Sequence, residues 1–397
     1  YTAGSGMIEL RDAICKKVKR ENKINITPEQ VLVSNGEKQS LYLACQALFQ
    51  TGDQVMIFSP YWVSFPEFVK MADAEPVLVN TLPESNFEPD FEDLDAKIDS
   101  SIKGVIINSP SNPTGGVWRN DAIVKLLKLA KKHGWIVISD ECYERLVYDG
   151  VFTSAEKLNQ THDIGATVLT CMSLSKTYAM TGWRIGYSAG PKDIIKAMAK
   201  IQGQATSCAN SIGQKASIEA LIGDQTCVED MKSLFLKRRD LIVELLNDLP
   251  EVKCANPKGA FYVFPDFSSY LNQKVNGKLL KDTFDISFGN KDLCNAEPNS
   301  AKSTRLFSLH SIFAPKSKTT LIDFLLGHNA DKAGLSILSI ILRFSLEITN
   351  NAPVLPAETT ISVSLFLTLS IASHILVFLP LLAPSRGLSV LLTASVV

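Results

Sequence analysis

The chain has 397 residues, 46% of them hydrophobic and 20% charged, which is enough for roughly two or three domains of about 150 residues each around a sizeable apolar core. Its 40 lysines and arginines against 41 aspartates and glutamates leave a formal net charge of −1, which offers no electrostatic footprint for nucleic acid and favours small-molecule chemistry. Eight cysteines (Cys15, Cys45, Cys142, Cys171, Cys208, Cys227, Cys254 and Cys294) are scattered, without a C-x-x-C pair or a histidine pattern of metal-ligand spacing. They read as reduced, mostly buried thiols of an intracellular protein, with neither a disulfide framework nor a zinc site.

The first residues, Tyr1 to Arg11, do not begin with methionine and show no signal or transit peptide, and sequence is expected upstream. Apolar spacing predicts a helix over 9–21, then a strand at 31–33 that leads through Ser34-Asn35-Gly36 into a helix over 38–49. Strands are predicted at 54–58, 76–79, 104–108, 135–139, 167–172 and 184–188, with amphipathic segments between them. Strands alternating with helices define an α/β fold on a mostly parallel sheet.

One long amphipathic helix is predicted over 224–249, stopped by Pro250, and Ala260-Phe261-Tyr262-Val263-Phe264-Pro265 reads as a strand of a second, smaller domain. The chain is thus expected to consist of a large domain over 1–245, the start of a small domain over 246–270 and a divergent tail over 271–397. Residues 274–332 show little clear period, and 359–385 contain no charged side chain. That run is long enough for a membrane span of about 20 residues, but His374 and its serines and threonines argue against one.

In an open α/β sheet, ligands sit beyond the carboxyl ends of the strands, and the candidate residues lie there. Gly36-Glu37-Lys38 opens a helix whose free N–H groups and positive dipole end suit phosphate, although glycine before a helix is usually just a turn. Trp62, in Ser59-Pro60-Tyr61-Trp62, offers a flat face for stacking or an ordinary core tryptophan. Ser109-Pro110-Ser111-Asn112-Pro113-Thr114-Gly115 is a prolyl loop that presents Asn112 as a side-chain donor, or a purely structural turn. Asp140, at a strand end, is a carboxylate whose burial needs a partner; a protonated ring nitrogen would serve, and so would a role as a helix cap. Tyr143 lies three residues on, where it either donates to a phenolate oxygen or packs.

The most telling stretch is Ser173-Leu174-Ser175-Lys176-Thr177-Tyr178-Ala179-Met180-Thr181-Gly182-Trp183-Arg184. A lysine on a polar loop is ordinarily a solvated surface residue. Here two hydroxyls and an arginine surround it, so an amine for a Schiff base stands beside donors and a cation for a phosphate. Those are the parts that hold pyridoxal 5′-phosphate.

With the sites at Gly36, Trp62, Asn112 and Asp140 in the same order, this stretch resembles the Schiff-base signature of the fold-type I, class I/II aminotransferases over roughly residues 1–270. Ser34-Asn35-Gly36, Pro60-Tyr61-Trp62 and 109–115 look most like the prokaryotic-type aspartate aminotransferases, which have a plant plastid form that also uses prephenate. The resemblance implies that Lys176 is the aldimine lysine and general acid/base. It also implies that Ser173, Ser175, Arg184 and the backbone of Gly36, Glu37 and Lys38 bind phosphate. Asp140, Tyr143 and Asn112 would tune the ring, Trp62 would stack on it, and Trp62 and Asn112 would touch substrate. Tyr1 matches the tyrosine that reaches the neighbouring subunit's phosphate, so a homodimer is expected. The implied reaction is a ping-pong exchange between aspartate or glutamate and a 2-oxo acid, in the chloroplast by resemblance.

Three departures from the family pattern stand out. Glu37 occupies a position where the family has a small residue, and its carboxylate is compatible with a phosphate only if the side chain turns away. The family's N-terminal arm is absent. Arg343-Phe344-Ser345 only superficially resembles the R-[IL]-S strand whose arginine pairs with the substrate carboxylate, and the tail after Leu271 looks like an aberrant reading frame. A fragment with impaired catalysis, or other pyridoxal phosphate chemistry such as β-elimination, shares every cofactor residue.

Overall fold

The computed structural model describes residues 1–275 and 278–281, together with the backbone of two short strands, Ile375–Leu376 and Ser395–Val396. The chain divides into two compact units, 1–266 and 267–397. Arg343 and the uncharged run at 359–385 lie outside the described residues except for Ile375–Leu376. No helix among the described residues is long and apolar enough to cross a membrane.

In the first unit, α1 (Ile8–Asn22) precedes β1 (Val31–Ser34) and α2 (Glu37–Leu48); then come β2 (Gln54–Ser59), α3 (Ser64–Met71), β3 (Glu75–Leu82), β4 (Glu88–Pro89) and α4 (Phe91–Ala96). The winding continues through β5 (Ile102–Asn108), α5 (Asn120–His133), β6 (Ile136–Asp140), α6 (Ala155–Thr161), β7 (Thr167–Ser173), α7 (Leu174–Thr177) and β8 (Gly186–Ala189). Three helices follow, α8 (Lys192–Ala205), α9 (Ser211–Ile222) and α10 (Thr226–Asn247), and then a two-stranded pair, β9 (Lys253–Cys254) and β10 (Pro265–Asp266).

Eight strands form one sheet in the order β1-β8-β7-β6-β5-β2-β3-β4. The five central strands from β3 to β7 are parallel, while β1, β8 and β4 join as antiparallel neighbours. The order reverses at β2, which has β3 on one side and β5 on the other, and such a switch point opens a crevice at the carboxyl edge.

Alternation along each strand decides which helices cover which face. Val55, Ile57, Ile106, Ile138 and Leu169 pack on one face against Leu41, Phe68 and Met198 from α2, α3 and α8. Met56, Phe58, Val105, Ile107, Val137 and Val168 turn to the other face, against Leu94 from α4, Leu126 from α5 and Leu158 from α6. Burial on both faces explains why these strands read as continuous apolar runs.

Two expectations are corrected. The strand predicted over 184–188 begins only at Gly186, because Arg184 takes a left-handed φ of 54°. Residues 260–261 form a turn and 262–264 follow without regular structure, so only Pro265–Asp266 is strand. Ala260, at φ 55°, bonds through its N–H to the Leu146 carbonyl at 2.8 Å, which breaks the period-2 path. Phe261 stacks on Phe235 at 5.3 Å, and Tyr262 sits edge-on to Tyr143 at 5.7 Å. The aromatic run therefore caps a site instead of lining a sheet.

In the second unit, Lys274–Val275 pairs antiparallel with Lys278–Leu279, and Ile375–Leu376 pairs antiparallel with Ser395–Val396.

Candidate active site

The carboxyl ends of β5, β6 and β7 deliver Asn112, Asp140 and Lys176 to one edge of the sheet. Asp140 ends β6, with 3% of its surface exposed, and its Oδ1 accepts the Cys142 N–H at 3.2 Å in a short local turn. Asn108, at the end of β5, donates to the Asp140 carbonyl at 3.3 Å and accepts the Asn112 N–H at 2.7 Å, which ties the two strand ends together.

At the end of β7, Ser173 caps α7 by accepting the Ser175 N–H at 3.0 Å, and both serines are buried. One turn on, Lys176 is half-buried, its Nζ 5.3 Å from the centre of the Phe261 ring and electrostatically coupled to Asp140, Glu37 and Cys142.

The start of α2 crosses β8 at very short range. A Cβ on Gly186 would lie 2.3 Å from the Glu37 nitrogen, so only glycine admits the helix. Gly36, at φ 83°, is itself covered by Arg184, whose Nη2 would lie 2.2 Å from a Cβ placed there. Arg184 Nη1 donates to the Thr181 carbonyl at 2.9 Å, which leaves the rest of an exposed guanidinium at the mouth of α2. The first turn of a helix has no intrahelical acceptors for its N–H groups. Gly36, Arg184 and the first N–H groups of α2 therefore form a cradle for an anion.

A third group comes from the segment at 257–262. Gly115 and Gly259 approach within the width of a side chain, and the Gly259 N–H donates to the Gly115 carbonyl at 3.0 Å. This docking brings the Tyr262 hydroxyl to 2.7 Å from that of Tyr143 and to 3.4 Å from Asn112 Nδ2. Burial raises the Tyr143 phenol well above its usual range and pushes Tyr262 up to about 12, so both are neutral donors near pH 7.

Trp62 is half-buried, edge-on to Phe65 and Phe68 at 5.5 and 5.9 Å, with the Lys38 ammonium 5.0 Å from the centre of its ring. Tyr1 is fully exposed and does not join the cluster around Lys176. Of the residues singled out from sequence, Gly36, Arg184, Asp140, Tyr143, Asn112, Ser173, Ser175 and Lys176 are thus gathered at the carboxyl edge. Tyr262 and Phe261 are additions that the sequence reading assigned to a plain strand. The signal that could have found them is the glycine at 259, directly before the aromatic run.

Glu37 turns its side chain away from the anion cradle. Its carboxyl lies within 4.8 Å of the Asp140 carboxyl, to which it is hydrogen-bonded, and only 8% of the residue is exposed. Burial, and then the neighbouring Asp140 charge, raise the Glu37 carboxyl well above its usual range. Asp140 is also raised by burial, but the hydrogen bond from Glu37 works in the opposite direction. Among the described residues, Glu37, Asp140 and Cys142 are the one group of metal-ligand types, with donor atoms within 4.8 Å of one another. Burial raises all three, which opposes the deprotonation that a cation would demand.

A switch-point crevice that holds a lysine, a buried acid and a glycine–arginine anion cradle is the arrangement of a fold-type I transferase. The chain belongs to the aminotransferase class I and II family, whose sequence model matches residues 1–289. It is an aminotransferase, from a family that depends on pyridoxal 5′-phosphate.

The relatives agree on this. The chain is 44% identical over 279 residues to an aspartate/prephenate aminotransferase of Cereibacter sphaeroides, covering 70% of this chain and 69% of that one. It is 43% identical to a bifunctional aspartate aminotransferase and glutamate/aspartate-prephenate aminotransferase of Petunia hybrida, over 70% of this chain and 58% of that one. Among solved structures, it matches a Thermus thermophilus aspartate aminotransferase double mutant with a TM-score of 0.64 and 41% identity, over 68% of this chain and 70% of that one. It also matches the Rhizobium meliloti aspartate aminotransferase with a TM-score of 0.71 and 35% identity, over 78% and 82% of the two chains.

Proposed function

We propose that the chain exchanges an amino group between aspartate or glutamate and a 2-oxo acid, either 2-oxoglutarate or oxaloacetate, with prephenate as a further acceptor. The observation that carries this reading is the convergence of Lys176, Asp140 and the Gly36–Arg184 cradle at one carboxyl edge. The 40–44% identity to three named aspartate/prephenate aminotransferases supports the substrate class.

The residues fit pyridoxal phosphate. Arg184, Ser173, Ser175 and the backbone of Gly36, Glu37 and Lys38 would hold its phosphate, and only a glycine at 36 leaves room beneath Arg184. Asp140 would accept from the ring nitrogen, and Tyr143 and Asn112 would donate to the ring oxygen. When bound, the cofactor supplies a pyridinium ring that accepts the electron pair released at the substrate Cα. Lys176 Nζ would take the Cα proton and return it to the C4′ carbon of the cofactor, so one amine would serve both half-reactions. Trp62 is free to stack once Lys38 leaves its face.

A homodimer, with Tyr1 reaching the neighbouring phosphate, and a plastid setting belong to the same reading.

The test is to purify the chain with pyridoxal phosphate and record the visible band of the bound cofactor. Turnover is then assayed with aspartate and 2-oxoglutarate, and next with glutamate and prephenate. The band is expected in the wild type and absent in Lys176→Ala, with turnover reduced at least 10²–10⁴-fold. A band without turnover on any of these pairs would refute the substrate assignment.

A further inference from the structure

We propose that Glu37 is a neutral carboxylic acid that donates its proton to Asp140, and thereby sets how strongly Asp140 can hold the proton of a ligand's ring nitrogen. The inference rests on the cofactor assignment above and extends it to a residue that the family pattern does not include.

The geometry leaves a charge on Glu37 little support. Its backbone starts α2, pinned against Gly186, so the side chain cannot swing out with the helix; a Gly186 Cβ would meet Glu37 Cα at 2.8 Å. Its carboxyl lies within 4.8 Å of the Asp140 carboxyl and the Cys142 sulphur. Its Oε1 is buried and has no hydrogen-bond partner, although an ionised carboxylate would need several.

The groups that face it are Asp140 and Cys142 from the end of β6, Cys171 from β7 and Lys176 from α7. Of these, Lys176 alone is a cation, and it is shared with Asp140. Two buried carboxyls this close hold one proton between them. Burial raises both carboxyls, but Asp140 Oδ1 already accepts the Cys142 N–H at 3.2 Å while Glu37 Oε1 is buried without a partner, so the ionised form is supported at Asp140 and the proton falls to Glu37. The remaining lone pairs of Asp140 are then left to face the pocket.

The consequence concerns the strength of Asp140 as an acceptor. A carboxylate that already accepts an O–H is a weaker base toward a second donor, so Glu37 moderates the positive charge that Asp140 maintains on the ring. A hydrogen bond to a charged group corresponds to a factor of about ten or more in a proton equilibrium. Glu37 therefore acts through Asp140 and is a positioning residue.

The experiment has two arms on the full chain. In the first, the infrared difference spectrum of the cofactor-free protein at pH 7, wild type minus Glu37→Gln, should contain a protonated carboxylic-acid band. The subtraction cancels Glu141, which is common to both proteins. If the difference shows only a carboxylate signal, Glu37 is ionised and the proposal is overturned.

In the second arm, the visible band of bound pyridoxal phosphate is titrated with pH. Glu37→Ala removes the donor, and the midpoint should move about one unit lower, a tenfold change. Glu37→Gln, whose amide still donates, should stay near the wild type. Coincident midpoints for wild type and Glu37→Ala, or a Glu37→Gln midpoint that follows Glu37→Ala, would overturn the proposal. Failure of every variant and the wild type to form the band refutes the cofactor assignment and with it the second arm, while the infrared arm still decides whether the Glu37–Asp140 pair holds a proton.

Discussion

Replacing one hydrogen of Gly36 with a methyl group would set a carbon 2.2 Å from Arg184 Nη2 on a backbone at φ 83°. The guanidinium is the end of a flexible side chain and can retreat, but then the anion cradle loses its cation. The backbone at φ 83° and ψ 160°, a region that is essentially glycine-only, adds roughly 1–3 kcal/mol of strain for an alanine. Gly36→Ala is therefore expected to weaken pyridoxal phosphate binding about tenfold or more, measured by titrating the visible band; an unchanged Kd would show that Arg184 does not hold the phosphate. At this scale much of the site was legible. Lys176, Asp140 and Arg184 stood out because their chemistry comes in short local patterns. Tyr262 did not, because its partners Tyr143 and Asn112 are 119 and 150 residues away along the chain. Glu37 could be recognised only as an anomaly; where its side chain turns depends on β8 passing at Gly186.

Between elements, the tightest restraint is the crossing of α2 over β8. A Cβ at Gly186 would lie 2.3 Å from the Glu37 nitrogen and 2.6 Å from the Gly36 carbonyl carbon, both backbone atoms that cannot rotate aside. Gly186→Ala is expected to cost about 1–3 kcal/mol of stability through overpacking and to shift the cradle, with chemical denaturation and cofactor affinity as the two readouts. If the substitution left both unchanged, the crossing would be looser than described.

The start of α6 offers a pH test. Glu141 is buried and accepts from Ser139 Oγ, Ser154 Oγ and the Ala155 N–H at 2.8, 3.1 and 3.0 Å, yet burial pushes its carboxyl up to about 7. A folded-state value above the unfolded one means that the native chain binds the extra proton. The associated stability is fully present below about pH 4.5 and is lost as pH rises through about 7. Urea midpoints measured between pH 5 and 8 should fall for the wild type and stay flatter for Glu141→Gln. Element positions were largely visible in the sequence, since the α/β alternation and the apolar strands are local. The irregular path at 260–264 was not, because the aromatic residues that suggest a strand are held by Leu146, Phe235 and Tyr143 from elsewhere in the chain.

For the whole molecule, cofactor binding should couple to stability. A ligand at 100 times its Kd stabilises the native state by about 2.7 kcal/mol, so pyridoxal phosphate should raise the Tm of the wild type. Lys176→Ala should show a distinctly smaller rise, and an equal one would mean that the lysine is not at the cofactor. Sedimentation should give twice the chain mass if the expected homodimer forms.

The sequence alone determined the class of chemistry, because a lysine, its flanking hydroxyls and the strand-end acid are carried by short segments whose local propensities already place them at the carboxyl edge. It also determined the layered α/β architecture, because hydrophobic period is a local property. Only the tertiary structure decided how those segments meet: that Arg184 covers Gly36, that Tyr262 joins Tyr143, and that Glu37 turns down to Asp140. Each of these rests on two backbones approaching within a few ångströms across many residues of chain, a distance that packing sets and local sequence does not encode.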